Sequence, residues 1–172
     1  MTLFIRKLNK RSNIDAIVSN EDVEDLEADV VTSEFRTQGN TLSVWEVNNK
    51  DNIVSGVLAI VLSSSRIETM DFILLESDQL ESHGLKIASS TPGKNPFIYA
   101  KDMHYDISEL CLRSLSFLSR LYKDVCKDID CVIRLSKFEL KEMIKNANKD
   151  GLIDASFIND TLRKDWEQLG IS

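Results

Sequence analysis

The stretch that decides the fold is residues 41–76, TLSVWEVNNKDNIVSGVLAIVLSSSRIETMDFILLE. Residues 41–47 alternate in polarity and carry β-branched and aromatic side chains, which is typical of a strand. Residues 51–64 are apolar all round a helical wheel and predict a buried helix, with a buried strand as the alternative. Residues 68–76 predict a second strand. This order predicts a βαβ unit whose two strands are parallel neighbours.

The rest of the chain adds elements on both sides of this unit. Before it, residues 2–7 predict an edge strand, residues 10–20 a polar loop and residues 20–31 a short helix. After it, we expect a helical turn at 77–84, short strands at 85–89 and 97–100, a loop at 91–96, and helices at 106–127, at 136–148 and after Asp154.

These elements predict a mixed α/β fold, with α+β as the alternative. We expect a small central sheet of three to five strands that contains the βαβ unit, packed by four to five helices. Residues 1–172 have the length of a single domain, in which residues 1–104 mainly form the sheet and residues 105–172 are helical.

Composition and charge narrow the classes of function. The chain has 172 residues, of which 42% are hydrophobic and 28% charged, as in ordinary globular domains. Its net charge of -7 counts against nucleic-acid binding, which depends on neutralising phosphates. No apolar run approaches the length of a membrane span or a signal peptide, so we expect a cytoplasmic protein without membrane association. The oligomeric state is not predicted.

Cysteine and histidine usage gives no cofactor signature. The chain has three cysteines, without a C-x-x-C pair, and two histidines, which predicts reduced and mostly buried thiols and no structural zinc site. Neither a P-loop nor a dinucleotide-binding glycine pattern occurs. We therefore expect no cofactor.

One segment concentrates negative charge. Within it lie six acidic residues, Glu21, Asp22, Glu24, Asp25, Glu27 and Asp29. Such a segment can bind a basic surface of a protein partner, because complementary charge accelerates association. The alternative interpretation is a solvated helix face.

A polar group surrounds the turn before the first strand of the βαβ unit. Arg36, Asn40, Ser43 and Trp45 offer guanidinium, amide and hydroxyl groups that could hold an anion or a nucleotide-like ligand. Hydrogen bonding within a turn is the alternative explanation for the same residues.

His104 and Asp106 are the only candidates for acid–base chemistry. A carboxylate two residues from an imidazole can tune its proton affinity, which general acid–base catalysis requires. No motif supplies a nucleophile, and a surface or capping histidine is the alternative.

A calcium loop is the remaining candidate. Asn146, Asn148, Asp150 and Asp154 occupy ligand positions of an EF-hand-like spacing, but Phe157 stands where the bidentate glutamate belongs. The alternative is a helix that ends at a glycine, followed by a helix capped by Asp154.

These features favour a small protein-interaction module of the immunity, antitoxin or accessory-subunit type, which binds a partner through its acidic segment. The alternative is an enzyme of unfamiliar type, with a site near the carboxyl ends of the βαβ strands. That enzyme would use Arg36, Trp45, His104 and Asp106, and it requires a pocket that joins them.

Overall fold

The computed structural model describes residues 2–47, 49 and 53–168, and the elements within them confirm a mixed α/β fold. Its strands are β1 (Leu3–Lys7), β2 (Leu42–Val47), β3 (Met70–Glu76), β4 (Lys86–Ser89), β5 (His104–Ser108) and β6 (Val132–Leu135). Its helices are α1 (Arg11–Ser19), α2 (Ala28–Glu34), α3 (Val54–Ser63), α4 (Ser77–Ser82), α5 (Leu112–Val125), α6 (Lys137–Lys149) and α7 (Asp160–Gln168). The described part thus holds more strands and more helices than the sequence predicts.

All the strands belong to one sheet in the order β4-β5-β2-β1-β3-β6, and every neighbouring pair is antiparallel. Leu3 of β1 lies opposite Val47 of β2 on one side and opposite Glu76 of β3 on the other. β2 and β3 therefore run parallel in the same sheet, as predicted, but β1 lies between them. The prediction that they are neighbours is wrong.

The N-terminal strand is central and not at an edge. Leu3 and Ile5 point into the hydrophobic core on one face of the sheet, and Phe4 points into the core on the other. Arg6 and Lys7, which suggest a solvated edge, come only at the end of the strand and are half-buried. A strand with apolar residues on both faces gains most stability where helices cover both of them.

Helices cover both faces, which we name the α3 face and the α5 face after one helix that packs on each. On the α3 face, α3, α6 and α7 pack against alternate residues of the central strands. On the α5 face, α1, α4 and α5 pack against the others. Gly56 lets α3 approach the sheet closely, since a Cβ atom at this position would lie 2.7 Å from Cγ1 of Val47.

Two segments differ from the sequence prediction in type. Residues 10–20 contain α1, whose Ile14 and Ile17 are buried, and are not a loop. Residues 106–127 are not one helix, because the chain first completes β5 and begins α5 only at Leu112. Both β5 and β6 come from the half of the chain that was expected to be helical.

The acidic segment does not form one helix. A 3₁₀ turn covers Val23–Asp25, and α2 follows after a break. Val23 and Leu26 are buried on the α5 face. The Nζ atom of Lys123, on α5, donates hydrogen bonds to the backbone carbonyls of Asn20 and Glu21. These contacts hold the segment against α5, where it forms a 3₁₀ turn and the separate helix α2 and not one continuous helix.

The predicted start of α6 is confirmed in detail. Glu139 N lies 3.3 Å from the Ser136 Oγ atom that accepts its hydrogen bond, and Ser136 N lies 2.8 Å from Glu139 Oε2. This reciprocal pair is a capping box.

Residues 97–100 do not form a strand; only an isolated bridge joins Phe97 to Ile153. No helix among the described residues has the length and apolar character needed to cross a membrane.

Candidate functional site

A cleft of about 610 Å³ opens on the α3 face, beside the carboxyl end of α3. Its floor is formed by β1, β2 and β5, which are neighbours in the sheet. Its walls are the loop of residues 91–95 and the last turn of α3. The lining residues are Arg6, Lys7, Arg36, Gln38, Thr41, Ser43, Trp45, Ile60, Ser63, Thr91, Pro92, Gly93, Lys94, Asn95, His104 and Asp106.

Two cross-strand pairs build the floor. Ser43 lies opposite Asp106, and Trp45 lies opposite His104. Side chains two residues apart on a strand share a face of the sheet, so the register places all four on the α3 face. The Ser43 hydroxyl donates a 3.0 Å hydrogen bond to Oδ1 of Asp106.

His104 is held from two sides. Its ring lies 4.5 Å from that of Trp45, with an angle of 66° between their planes. Its Nδ1 atom lies 2.7 Å from Oγ of Ser90. Burial lowers the pKa of His104 below its ordinary value, and the charge of Asp106 and the contact with Ser90 oppose this effect only in part. The imidazole is therefore neutral at neutral pH.

Positive charge dominates the lining. Among the described residues that line the cleft are four cationic ones, Arg6, Lys7, Arg36 and Lys94, and one carboxylate, that of Asp106. Lys7 forms an ion pair with Glu68 at 3.6 Å. Within the described part of the chain, Arg36 and Lys94 have no ion-pair partner. These two cations are the ones available to a ligand.

Arg6 connects the cleft to a buried carboxylate. Its guanidinium donates to the backbone carbonyl of Ser43 at 2.9 Å and to that of Glu34 at 3.5 Å. The Glu34 side chain is fully buried and accepts hydrogen bonds from the backbone N–H groups of Asn9 and Lys10. Burial raises the pKa of Glu34, against the hydrogen bond from Asn9 and the charge of Arg6. This network fixes Arg6 at the rim of the cleft.

The loop that forms one wall is attached at both ends. Ser90 N donates to the carbonyl of His104 at 3.0 Å. The Asn95 side chain donates to the carbonyl of Ala59 on α3 at 2.8 Å and accepts from Phe97 N at 2.9 Å. Residues 91–94 therefore span two fixed points, which agrees with the loop predicted from Pro92 and Pro96.

The cleft joins most of the site residues that the sequence singles out. Arg36, Ser43, Trp45, His104 and Asp106 all line it. Asn40 does not: it occupies the left-handed region at φ 59°, in the turn between Gln38 and Thr41, and its carbonyl accepts from Leu110 N. The cleft also lies beside the first residues of β2 and not at the carboxyl end of the strand, because the antiparallel insertion of β1 removes the crevice expected there.

The acidic segment lies on the opposite side of the sheet from the cleft. The side chains of Glu21, Asp22, Asp25, Glu27 and Asp29 are exposed, and that of Glu24 lies outside the described side chains. The apolar residues Val23 and Leu26 of the segment are buried on the α5 face, whereas its five described carboxylates are exposed. Its role in binding a partner stays a prediction.

The calcium-loop candidates occupy the end of α6 and the turn that follows. Asn146 and Asn148 are in the last turns of the helix, and Gly151 ends it at φ 72°. The Asp154 carboxylate accepts from Ser156 N at 3.0 Å and from Ser156 Oγ at 2.6 Å. No group of three or more His, Cys, Asp or Glu side chains that could hold a metal is found in the described part of the chain.

Sequence reasoning missed Arg6, Lys7, Lys94 and Ser90. Arg6 and Lys7 end a strand that the sequence places at an edge, and Ser90 and Lys94 lie 45 and 49 residues beyond Trp45. No local signal joins them; the topology of the sheet does. The result is a concave, cationic and partly polar site with one neutral imidazole, which can hold an oxyanion and exchange a proton with it.

The chain matches no protein-family model, no curated protein and no solved structure.

Proposed function

We propose that the cleft on the α3 face binds a small ligand that carries an oxyanion, a phosphate or a carboxylate. The observation that carries this proposal is the charge of the lining. In the described part of the chain, four cationic side chains and one carboxylate line a cavity of about 610 Å³, although the net charge of the chain is -7. A local concentration of charge opposite to the net charge focuses the field and attracts counter-charged ligands.

Arg36 and Lys94 are the residues that would contact the oxyanion. They reach the cleft from different segments, Arg36 from the residues before β2 and Lys94 from the loop of residues 91–95. A guanidinium can bind an oxyanion through two parallel hydrogen bonds, and a lysine ammonium adds a point charge. Arg6 is already bound to backbone carbonyls, so its role is to add positive potential at the rim.

His104 is the group that could make this site catalytic, which is the alternative function. A neutral imidazole can accept a proton from a bound ligand or from water at neutral pH. The pocket that an enzyme of this kind requires, joining Arg36, Trp45, His104 and Asp106, is present. Binding is nevertheless the function for which the charges give direct support, and catalysis would build on it.

Calorimetric titration with inorganic phosphate and with acetate tests the proposal. Arg36→Gln and Lys94→Gln should each weaken binding of the better anion by roughly tenfold to a hundredfold, because a charge-assisted hydrogen bond contributes roughly 1.5–3 kcal/mol. Lys164→Gln is the matched control. It removes the same charge from an exposed position on α7 and should leave affinity unchanged within about twofold.

Two results would contradict the proposal. One is the absence of measurable heat for either anion at low ionic strength, where screening is weakest. The other is equal weakening by Lys164→Gln and by the two cleft variants, since that would mean that net charge alone attracts the anion.

The acidic segment supports a second candidate, the interaction module. Lys123 and the buried residues Val23 and Leu26 hold the backbone of the segment, while its described carboxylates point into solvent. A preorganised acidic surface can accelerate association with a basic protein. Affinity capture followed by quantitative binding would test this: Glu27→Gln with Asp29→Asn should slow association with the captured partner, whereas Asp160→Asn with Glu167→Gln on α7 should not. Equal association rates for the two double variants would remove the candidate.

A further inference from the structure

A second cavity, of about 490 Å³, lies against the same loop that walls the cleft. We name it the Phe157 groove, after the aromatic side chain at its rim. Pro96, Phe97, Ile98 and Phe157 give it an apolar lining. Ile98 and Phe157 are 46% and 44% exposed, so two large apolar side chains face solvent at one place. Such a cavity gains free energy when an apolar group enters it.

The Phe157 groove is held in place by backbone hydrogen bonds, together with those of the Asn95 side chain. Ile98 N donates to the carbonyl of Leu152 at 3.2 Å, and Asp154 N donates to the carbonyl of Pro96 at 2.8 Å. The bridge between Phe97 and Ile153 lies between these bonds. The groove is therefore open before any ligand arrives, and little conformational entropy is lost on binding.

The cleft and the Phe157 groove share one wall. Five consecutive residues, 91 to 95, line both cavities, and Lys94 is among them. At Gly93 the loop is bare: a Cβ atom added there would meet nothing within 4 Å. No side chain at Gly93 therefore separates the two cavities, and this is where we place the crossing of an unbranched chain.

Charge also agrees with a ligand that spans the two cavities. Lys94 serves both, and Lys101 adds a second ammonium group at the Phe157 groove. Asp154 is the one carboxylate among the described residues that line the groove, and it already accepts two hydrogen bonds from Ser156. Apolar surface next to two cations suits an apolar group that follows a negatively charged one.

We infer that the ligand is a single-chain amphiphile, with its oxyanion in the cleft and its hydrocarbon chain in the Phe157 groove. This inference rests on the proposed function, because the oxyanion site is the one proposed above. The shared chemistry of phosphate and carboxylate head groups leaves alkyl phosphates and fatty acids as the two sources. The ligand class is thereby narrowed from any small oxyanion to one that carries an alkyl chain.

A chain-length series tests the inference. The probes are methyl, butyl and octyl phosphate, titrated by calorimetry below their micellar concentrations, with acetate, pentanoate and nonanoate as the carboxylate arm. Each methylene that leaves water strengthens binding by up to about fourfold. Because the Phe157 groove is open on one side, we expect roughly twofold per methylene. The arm with the tighter methyl-length member identifies the head group.

Variants separate the chain site from the head-group site. Phe157→Ser and Ile98→Ser should flatten the dependence on chain length and leave the affinity for methyl phosphate or acetate unchanged. Arg36→Gln should weaken every member of a series by the same factor. Leu112→Ser is the control: Leu112 is 87% exposed and lines neither cavity, so the slope should stay the same. All of these positions are exposed or half-buried, so folding should persist in each variant.

The outcomes are distinguishable. Methyl-length anions that bind while chain length has no effect overturn the inference and leave the proposed function standing. Failure of every anion to bind overturns both. A slope that persists in Phe157→Ser also overturns the inference, because the chain would then lie elsewhere. Sedimentation at rising protein concentration tests whether a second copy of the chain occupies the Phe157 groove instead. Self-association that Phe157→Ser abolishes would assign the groove to that second copy and overturn the inference.

Discussion

Nδ1 of His104 lies 2.7 Å from Oγ of Ser90, across the pairing of β5 with the residue that follows β4. The contact fixes the imidazole in the floor of the cleft and occupies one of its two nitrogens. Because His104 is only 6% exposed, the charged form of its ring is poorly solvated. The ring is thus oriented for a ligand and kept neutral by the same packing.

His104 should titrate below the ordinary histidine pKa of 6.5. In the unfolded chain the ring takes up a proton first as the pH falls, while the folded ring stays neutral. The contribution of His104 to the free energy of unfolding is therefore complete above pH 6.5 and declines as the pH falls below it, by about 1.4 kcal/mol for each unit of pKa difference. NMR titration of the ring and denaturation of the native chain and His104→Gln at pH 8 and pH 5.5 measure both effects. A midpoint at or above 6.5 would contradict the expectation.

The sequence predicts the part of the fold that depends on local pattern. β2, α3 and β3 follow from apolar runs in residues 41–76, and the start of α6 follows from Ser136 and Glu139. The position of β1 does not follow. Its five residues resemble an edge strand because Arg6 and Lys7 end it, and only the complete sheet gives Leu3 and Ile5 their buried surroundings.

For β5 and for the cleft, too, local pattern predicts one part and the complete sheet determines the rest. Ile107 continues the spacing of three and four that runs through the apolar residues of α5, so a strand residue cannot be distinguished from a helical stripe by period alone. The sequence names five residues of the cleft because they cluster around β2 and β5. It misses Arg6 and Lys94, whose contribution depends on β1 lying beside β2 and on where the loop after β4 is attached.

Gly56 should be intolerant of even a methyl group. A Cβ atom would lie 2.7 Å from Val47 Cγ1 and would also meet Ile5, so α3 or the sheet would have to shift. Overpacking costs typically about 1–3 kcal/mol, and the helix propensity of alanine returns up to about 1 kcal/mol. We expect Gly56→Ala to lower the free energy of unfolding by roughly 1–2 kcal/mol in urea denaturation. Gly93→Ala, which meets nothing within 4 Å, is the control and should leave the free energy of unfolding unchanged or raise it by up to about 1 kcal/mol. If the Gly56→Ala chain were as stable as the native one, the packing of α3 against the sheet at Gly56 would not be tight.

Glu34 should give stability a pH dependence opposite to that of His104. Burial raises the folded pKa of this carboxyl above its ordinary value of 4.5, so the folded chain holds its proton to higher pH than the unfolded chain. The contribution of Glu34 is then complete below pH 4.5 and is lost as the pH rises through the folded pKa. The free energy of unfolding of the native chain, minus that of Glu34→Gln, should fall between pH 4.5 and pH 7. If the difference rises instead, the hydrogen bond from Asn9 and the charge of Arg6 together outweigh burial.

The cysteines at the two ends of α5 should differ in reactivity. Cys111 precedes the helix and is exposed, which corrects the expectation of mostly buried thiols, and a hydrogen bond with Ser114 lowers its pKa. Burial raises the pKa of Cys126, which follows the helix, to about 11. Alkylation by iodoacetamide requires the thiolate, so peptide mass spectrometry at pH 7.5 should find Cys111 modified well before Cys126.

Ser114 provides the control for this difference, because its hydroxyl lies 3.4 Å from Sγ of Cys111. Ser114→Ala removes that contact, raises the pKa of Cys111 and should slow its alkylation roughly twofold to fivefold at pH 7.5. Ser116→Ala makes the same change on α5 at a position without this contact and should leave the rate unchanged. Equal rates in the two variants would mean that exposure alone, without stabilisation of the thiolate, sets the reactivity of Cys111.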